Sequence, residues 1–440
     1  MSFFLTELVP EKKRIVGKMA SHDKNLITCV EFGTHSVKAL HGTRDKAGNP
    51  VVLGIGQVPS DGAVCKGEIV QMRQAAAALE KALAGADKSA GVVSERRNVY
   101  CIVNGPGVTS RQGEGQVIIY DEDRKIRRSH IQEAVNKAQS LALPAEQVYL
   151  SSFDSFFLLD SRTRVQDPEG QTASRLEAFL HIFSASRNQL ETTRDILREL
   201  GFEDRIEFVF APVAAAYGVL QEEEKNDGVL LIDMGAGTTT YIVIRRDGIL
   251  ASGILPIGTE NIANDLSIGL DLSIEQCRKM LIDQTLSRKI KNGEPFIDAG
   301  GPVSGTKRKI PVGSFERIMD LRLREIYSIL RERLDPRTYA PQTECGIVFC
   351  GGGALIPSAR KILGEDMRMP VRPGIPFGLS GAMSDLETPV RHAALLGLLK
   401  YVTAAEADRG SAGSRFGDAL EDFGENLFKK VKDLTRVFKI

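Results

Sequence analysis

Two short stretches hold the residue types that handle phosphate and a divalent cation: Asp233-Met234-Gly235-Ala236-Gly237-Thr238-Thr239-Thr240 and Glu31-Phe32-Gly33-Thr34-His35-Ser36. Each places a carboxylate two residues before a glycine and follows it with hydroxyls. Glycine lets backbone N–H groups approach an anion with no Cβ in the way, and hydroxyls add donors. A carboxylate can hold a hydrated divalent cation, which prefers oxygen ligands and keeps several waters. The chemistry implied is the grip of a phosphate chain with its metal.

The elements that must position these groups are strands. Val229 to Ile232 is an apolar run that reads as a strand buried on both faces, and Tyr241 to Ile244 reads as its partner after the turn. Leu26 to Val30 and Val37 to Leu40 repeat the design around the first stretch. Strand–turn–strand excludes the P-loop, whose glycines feed a helix and whose lysine is missing after Gly237. One such hairpin is compatible with an ordinary glycine turn. Two, each opening a half of the chain, imply a duplicated fold that grips one phosphate chain from both sides. A third glycine-rich strand end, Gly351-Gly352-Gly353, would let an adenosine approach the backbone.

The chain has 440 residues, so more than one core is expected. Fifty-seven basic residues balance 57 acidic ones, which argues against a coat of nucleic acid. The six cysteines show no paired ligand spacing and the six histidines are scattered, so neither a disulfide framework nor a zinc site is expected. No apolar run reaches the roughly 18 residues that span a bilayer, and residues 1–24 read as an extension rather than a signal. Further expectations are a helix from Met72 to Leu83, a strand at Val117–Tyr120, and a strand at Leu176–Phe183 that re-enters the first sheet. Glu222 to Glu224 reads as a solvated helix end, Lys291 to Lys309 as a loop-rich stretch, and Ser314 to Leu334 as a long helix. Gly351 is expected to open a helix reaching Leu363, residues 370–383 to form a loop, and Ala404 to Ser414 a flexible linker.

At the C-terminus, Phe416, Leu420, Phe423, Leu427, Val431, Leu434 and Phe438 recur every three or four residues, and they fall within about 80° of one helical face. Lys429, Lys430, Lys432, Arg436 and Lys439 lie on the other side, and residues 424–440 carry five basic against two acidic groups, a net of +3. Phe428 is adjacent to the stripe. The pattern suits an in-plane membrane helix whose lysines meet anionic headgroups, each worth about 1 kcal/mol near the surface. The same spacing permits a core or coiled-coil helix.

The ordered set of motifs resembles the actin-like ATPase superfamily. Within it the chain is most similar to the FtsA family of bacterial division proteins, on residues spread over about 26–440. These include Asp167-Pro168-Glu169-Gly170, Ala211-Pro212-Val213-Ala214-Ala215-Ala216, Asp233 to Thr239, Ile257-Gly258, Asn264-Asp265-Leu266, Arg322 with Glu325-Ile326, Gly351 to Gly353 and Met369-Pro370-Val371-Arg372. The resemblance implies an α/β fold with two ribonuclease H-like halves, a small inserted α+β subdomain and a C-terminal amphipathic helix. It divides the chain at 1–24 (extension), 25–104 (first half), 105–175 (insertion), 176–226 (first half), 227–375 (second half), 376–403 (return to the first half), 404–415 (linker) and 416–440 (membrane helix).

By that resemblance Gly33, Thr34, His35, Ser36, Gly235, Gly237, Thr238 and Thr239 would hold the phosphates of ATP, and Asp233 with Glu31 the Mg2+ hydrate. Glu275 would lie near the ribose and Gly351, Gly352 and Gly353 along the adenosine. Lys307, Arg308, Arg322 and Glu325 match the region that takes the C-terminal peptide of FtsZ. Further implied partners are copies of the chain itself, other division proteins and the anionic cytoplasmic face of the cell membrane at the septum. Three departures bear on turnover: Glu31 and Thr240 stand where aspartates are usual, and Thr259 replaces a glycine. Binding with at most weak hydrolysis is expected, since errors of about 1 Å can cost roughly 100-fold in rate. The Glu31-to-Lys38 run also resembles the actin-like platform protein of type IV pilus machinery, and a sugar or acetate-type kinase is a further alternative without a candidate substrate-activating carboxylate.

Overall fold

The computed structural model describes residues 26–96, 98–140, 143–246, 248–282, 292–300, 307–334, 340–386 and 388–410. The expected extension at 1–24 and the amphipathic helix at 416–440 lie outside the described residues.

The first half opens with a meander, β1 (Ile27–Phe32), β2 (Ser36–Arg44) and β3 (Pro50–Pro59). A small ribbon of β4 (Val64–Cys65) and β5 (Glu68–Ile69) leads into α1 (Met72–Ala90), and β6 (Asn98–Val103) follows. The insertion holds β7 (Val108–Ile118), α2 (Arg128–Gln139), β8 (Gln147–Leu159), β9 (Thr163–Val165) and β10 (Arg175–Ser186). The first half resumes with α3 (Arg187–Glu199), β11 (Arg205–Phe210) and α4 (Ala211–Val219), whose proline sits in the first turn, where its missing N–H costs nothing. After α5 (Glu222–Asp227), the second half repeats the meander as β12 (Val229–Met234), β13 (Thr239–Arg245) and β14 (Gly248–Leu255). It continues through α6 (Thr259–Leu270), α7 (Ile274–Ile282), β15 (Phe296–Gly300), β16 (Lys307–Pro311), α8 (Val312–Leu334) and β17 (Ile347–Cys350). A 3₁₀ turn at Gly352–Leu355, α9 (Ala359–Met367) and β18 (Val371–Pro373) complete it. The chain then returns through β19 (Ser380–Gly381), a 3₁₀ turn at Pro389–His392 and α10 (Ala393–Gly410).

The duplication is literal. The first sheet has the order β11-β6-β1-β2-β3-β19 and the second β18-β17-β12-β13-β14, with the meander antiparallel and the two following strands parallel in both. Alternation along each first strand feeds two cores. Val229 and Leu231 face the layer between the halves, whereas Leu230 and Ile232 face α6 and α8. In β1, Ile27 and Cys29 face the middle, and Val30 faces α1.

That middle layer is the helix pair α4 and α10, packed between the sheets. Small residues let the backbones touch. A Cβ on Gly218 would lie 2.7 Å from the Ala393 carbonyl oxygen and 3.1 Å from the Gly397 Cα, and one on Gly397 would collide with the Ala214 carbonyl.

The fold corrects several expectations. The strand at 176–183 does not re-enter the first sheet; β10 is an inner strand of the inserted sheet, in the order β7-β10-β8-β9. β7 begins nine residues before the expected Val117, because Gly113 and Gly115 leave room for the α2 backbone at Ala134 and Ala138. The stretch 291–309 contains a hairpin rather than loop alone: Ile297 pairs with Ile310 and both are buried, an alternation hidden among glycines and charges. Pro357 separates the turn after Gly351 from α9. The 370–383 loop contains β18 and β19, each adding a parallel edge strand. Residues 404–410 are helical, since Glu406 accepts from Tyr100 Oη at 2.9 Å and pairs with Arg44. Glu224 is not a solvated end but the partner of Arg372.

The inserted sheet also touches the second half. His181 Nε2 and Ser252 Oγ of β14 are hydrogen-bonded at 2.8 Å, Ser252 Oγ donates to Ser110 Oγ at 3.0 Å, and Gln166 Nε2 donates to the Arg246 carbonyl at 2.8 Å.

Gly397→Ala should therefore force α4 and α10 apart and cost roughly 1–3 kcal/mol of stability, read as a lower melting temperature; an unchanged melt would show that the contact tolerates a methyl group. A second expectation concerns acid. Burial pushes His181 from its ordinary 6.5 to about 4, and His392 to about 3 with Lys38 and Arg391 adding to the fall. The unfolded chain binds protons at these rings first, so stability is full above pH 6.5 and is lost as pH falls toward 4. Denaturation midpoints from pH 7 to 4 should fall, and His181→Gln should flatten the slope.

Candidate functional site

Both acid–glycine turns are closed by the same bond. The Gly33 N–H donates to the Ser36 carbonyl at 3.1 Å, and the Gly235 N–H donates to the Thr238 carbonyl at 2.8 Å. The two turns line one cleft between the halves, which Gly33, Thr34, His35, Ser36, Gly235, Gly237 and Thr238 share. They are also tied across it: Asn104 Nδ2 donates to Thr238 Oγ1 at 2.9 Å, and a Cβ on Gly237 would strike Thr34 Oγ1 and come within 2.9 Å of the Lys66 Cα. Thr34 Oγ1 accepts from the Gly67 N–H at 3.2 Å, with Gly67 held at φ +79°.

The strand registers make Glu31 and Asp233 equivalent, and with them Lys38 and Thr240, since Glu31 pairs with Lys38 and Asp233 with Thr240. The chemistry differs. Lys38 Nζ donates to Glu31 Oε2 at 2.9 Å from a buried position, so the first acid is neutralised inside its own hairpin. Asp233 faces an uncharged Thr240 and has no ion pair among the described residues. Burial, aided by the Glu31 charge and opposed by Lys38, pushes its carboxyl up to about 6. The Thr240 hydroxyl is buried with no partner.

The remaining site residues of the sequence reading divide. Gly351, at φ +83°, and Gly352 line the cleft, and a Cβ on Gly352 would meet nothing within 4 Å. Gly353 does not; it packs on the Met234 side chain. Thr239 is fully buried and its hydroxyl donates to the Ile257 carbonyl at 2.8 Å, so it is turned away from the cleft. Glu275 is exposed and reaches Arg278 at 3.4 Å; Arg278 and Glu260 line the cleft instead, joined at 2.7 Å. Thr259 lines it as well. Burial first, and Arg391 second, lower the pKa of His35, which keeps the ring neutral at pH 7.

Lys38, Asn104, Glu260, Arg278 and Arg391 line the cleft without having been found in the sequence. Lys38 had a signal, a lone charge inside an apolar strand. Asn104 had another, its place after the carboxyl end of a parallel strand, where ligands gather in such sheets.

Among the described residues no group of three or more His, Cys, Asp or Glu side chains could hold a metal ion. A cation here would rest on Asp233 through its waters and on phosphate oxygens. The glycine cradle at Gly237, the open space at Gly352 and the uncommitted Asp233 fit a nucleotide with such a cation.

Elsewhere, Arg308 meets Asp271 at 3.4 Å, and Arg322 pairs with Asp265 of α6 and with Glu325 at 2.9 Å. Arg308 thus meets the residue that ends α6 and Arg322 links α6 to Glu325, whereas the Lys307 side chain lies outside the described set. Phe416 to Lys439 also lie outside it. Among the described residues no helix is long and apolar enough to cross a membrane.

Two family models match the chain: Cell division protein FtsA over residues 230–397, and the SHS2 domain inserted in FtsA over residues 105–184. The second range takes in β10, in keeping with its pairing. Cell division protein FtsA of Pseudomonas aeruginosa is 26% identical over 384 residues, covering 87% of this chain and 90% of that protein. The Bacillus subtilis protein is 27% identical over 365 residues, covering 81% and 80%. Among solved structures, the PilM–PilN type IV pilus biogenesis complex matches with a TM-score of 0.60 at 16% identity, over 86% of this chain and 98% of that one. MreB5 of Spiroplasma citri bound to AMPPNP matches with 0.50 at 14%, over 89% and 100%. At such identities the structures speak for the fold alone, which is actin-like. With both models and relatives that span most of its length, the chain belongs to the FtsA family of actin-like cell division proteins.

Proposed function

We propose that this division protein holds ATP with a magnesium hydrate between its halves, assembles with copies of itself, and fastens FtsZ filaments to the cytoplasmic face of the membrane at the septum. The observation that supports the nucleotide reading is the pair of matching turns, one from each half, that face a single cleft. In this reading the Gly237 N–H and the Thr34 and Thr238 hydroxyls would bind the phosphates, Gly33 and Gly235 would shape the turns that let the chain come close, and Asp233 would hold the metal through its water. The metal supplies charge neutralisation. Gly351 and Gly352 admit the adenosine.

ATP acts here as a clamp more than as a fuel. Glu31 is committed to Lys38, and Thr240 offers a buried hydroxyl where a carboxylate would be needed to polarise water. Bound nucleotide then favours the closed arrangement of the halves, a population shift limited by its differential affinity for the two states. Self-association multiplies weak membrane contacts, since many linked tails act with an effective concentration that one lacks. The stripe from Phe416 to Phe438 with its lysines supports the membrane part, and Arg308, Arg322 and Glu325 around α6, with Lys307 on the adjoining hairpin, are the surface offered to the FtsZ peptide and other division proteins.

Co-sedimentation with anionic vesicles tests the whole. FtsZ should pellet with the full chain and ATP, and deletion of residues 416–440 should leave it in the supernatant; pelleting without those residues would overturn the membrane reading. Gly237→Val should weaken ATP binding at least tenfold by calorimetry, because the side chain strikes Thr34 and Lys66. Unchanged affinity would move the nucleotide out of this cleft.

A further inference from the structure

The short turn Pro389–His392 is tied to both halves by its carbonyls. Val390 O accepts the Gly351 N–H at 3.1 Å, and Arg391 O accepts Lys38 Nζ at 3.2 Å. The Arg391 side chain is half-buried and lines the cleft. Among the described residues its guanidinium makes no hydrogen bond and has no carboxylate within 4 Å. The other cations that line the cleft are committed. Lys38 holds Glu31, and Arg278 grips Glu260 with Nε at 2.9 Å and Nη2 at 2.7 Å. His35 is neutral.

A half-buried guanidinium has five donors to satisfy, and leaving them unmade costs free energy. Glu31 does not satisfy them, because its carboxylate is turned to Lys38. The cavity in front of Arg391 is also where the two phosphate-type turns converge. A planar fork of donors beside such turns matches two oxygens of one phosphate.

We infer that Arg391 is a direct ligand of the phosphate chain of the nucleoside triphosphate bound in the cleft, held at the base of the site by a turn bonded to both halves. The inference rests on the reading of the cleft as a nucleotide site. It adds a side-chain cation from the segment that returns to the first half, which the acid–glycine turns do not provide.

Calorimetric titration of the full chain with ATP and with inorganic tripolyphosphate tests it, using Arg391→Ala, Arg391→Lys and Arg391→Ala in a Glu31→Gln background, each checked by thermal melting. Arg391→Ala should weaken both ligands roughly 10- to 100-fold, Arg391→Lys should lose less, and the loss should persist beside Glu31→Gln. Wild-type affinity in Arg391→Ala overturns the inference and leaves the cleft reading intact. A loss that vanishes in the Glu31→Gln background also overturns it, making Arg391 a counter-charge for Glu31. A loss for ATP but none for tripolyphosphate would move the contact off the phosphates. A wild-type chain that binds neither ligand sinks both readings.

Discussion

The distance between the two halves is set where α4 and α10 cross, with Gly218 against Gly397 and the Ala214 carbonyl against a glycine that has no side chain. α10 lies on the first sheet and α4 touches both, so the closeness of this pair sets the spacing of the two sheets. Larger residues at the crossing would widen it by the diameter of a methyl group or more. The turns at Gly33 and Gly235 follow β1 and β12, and Asn104 bonds Thr238 while Thr34 lies against Gly237. Close packing of interiors makes such a spacing stiff, since even one methylene is felt.

On that scaffold the duplication holds in the order and direction of five strands and is broken in the charges. Equivalent positions hold Glu31 with Lys38 in one half and Asp233 with Thr240 in the other. Closing an acid–lysine pair in the first hairpin neutralises one of two carboxylates that would otherwise repel each other in the cleft. The second acid, without a partner, keeps its capacity for a cation. One symmetric motif has become two different tools by a change at a single register position on each side.

Much of this was legible in the residues. The paired hairpins, the meander and the alanine-rich α4 announce themselves through apolar runs, glycines and the early proline. Less legible were features that depend on what lies opposite. Thr239 reads like its neighbour Thr238, but the two-residue period of a strand turns it inward to Ile257. Glu275 and Glu260 are both helix acids, and only the packing of α6 beside α7 puts the latter at the cleft. The strand β10 looked like part of the main sheet because nothing local says which sheet an apolar strand joins. Arg391 carried no signal, since a single arginine after a proline is commonplace on any surface.

The insertion leaves and re-enters the chain within the first half, yet its hydrogen bonds through His181, Ser110 and Gln166 run to β14 and Arg246 of the second. It is thus sewn to one body and buttoned to the other. Any swing of the halves must either undo those buttons or drag the small sheet along. The angle of the jaws is thereby displayed on an outer face far larger than the cleft itself.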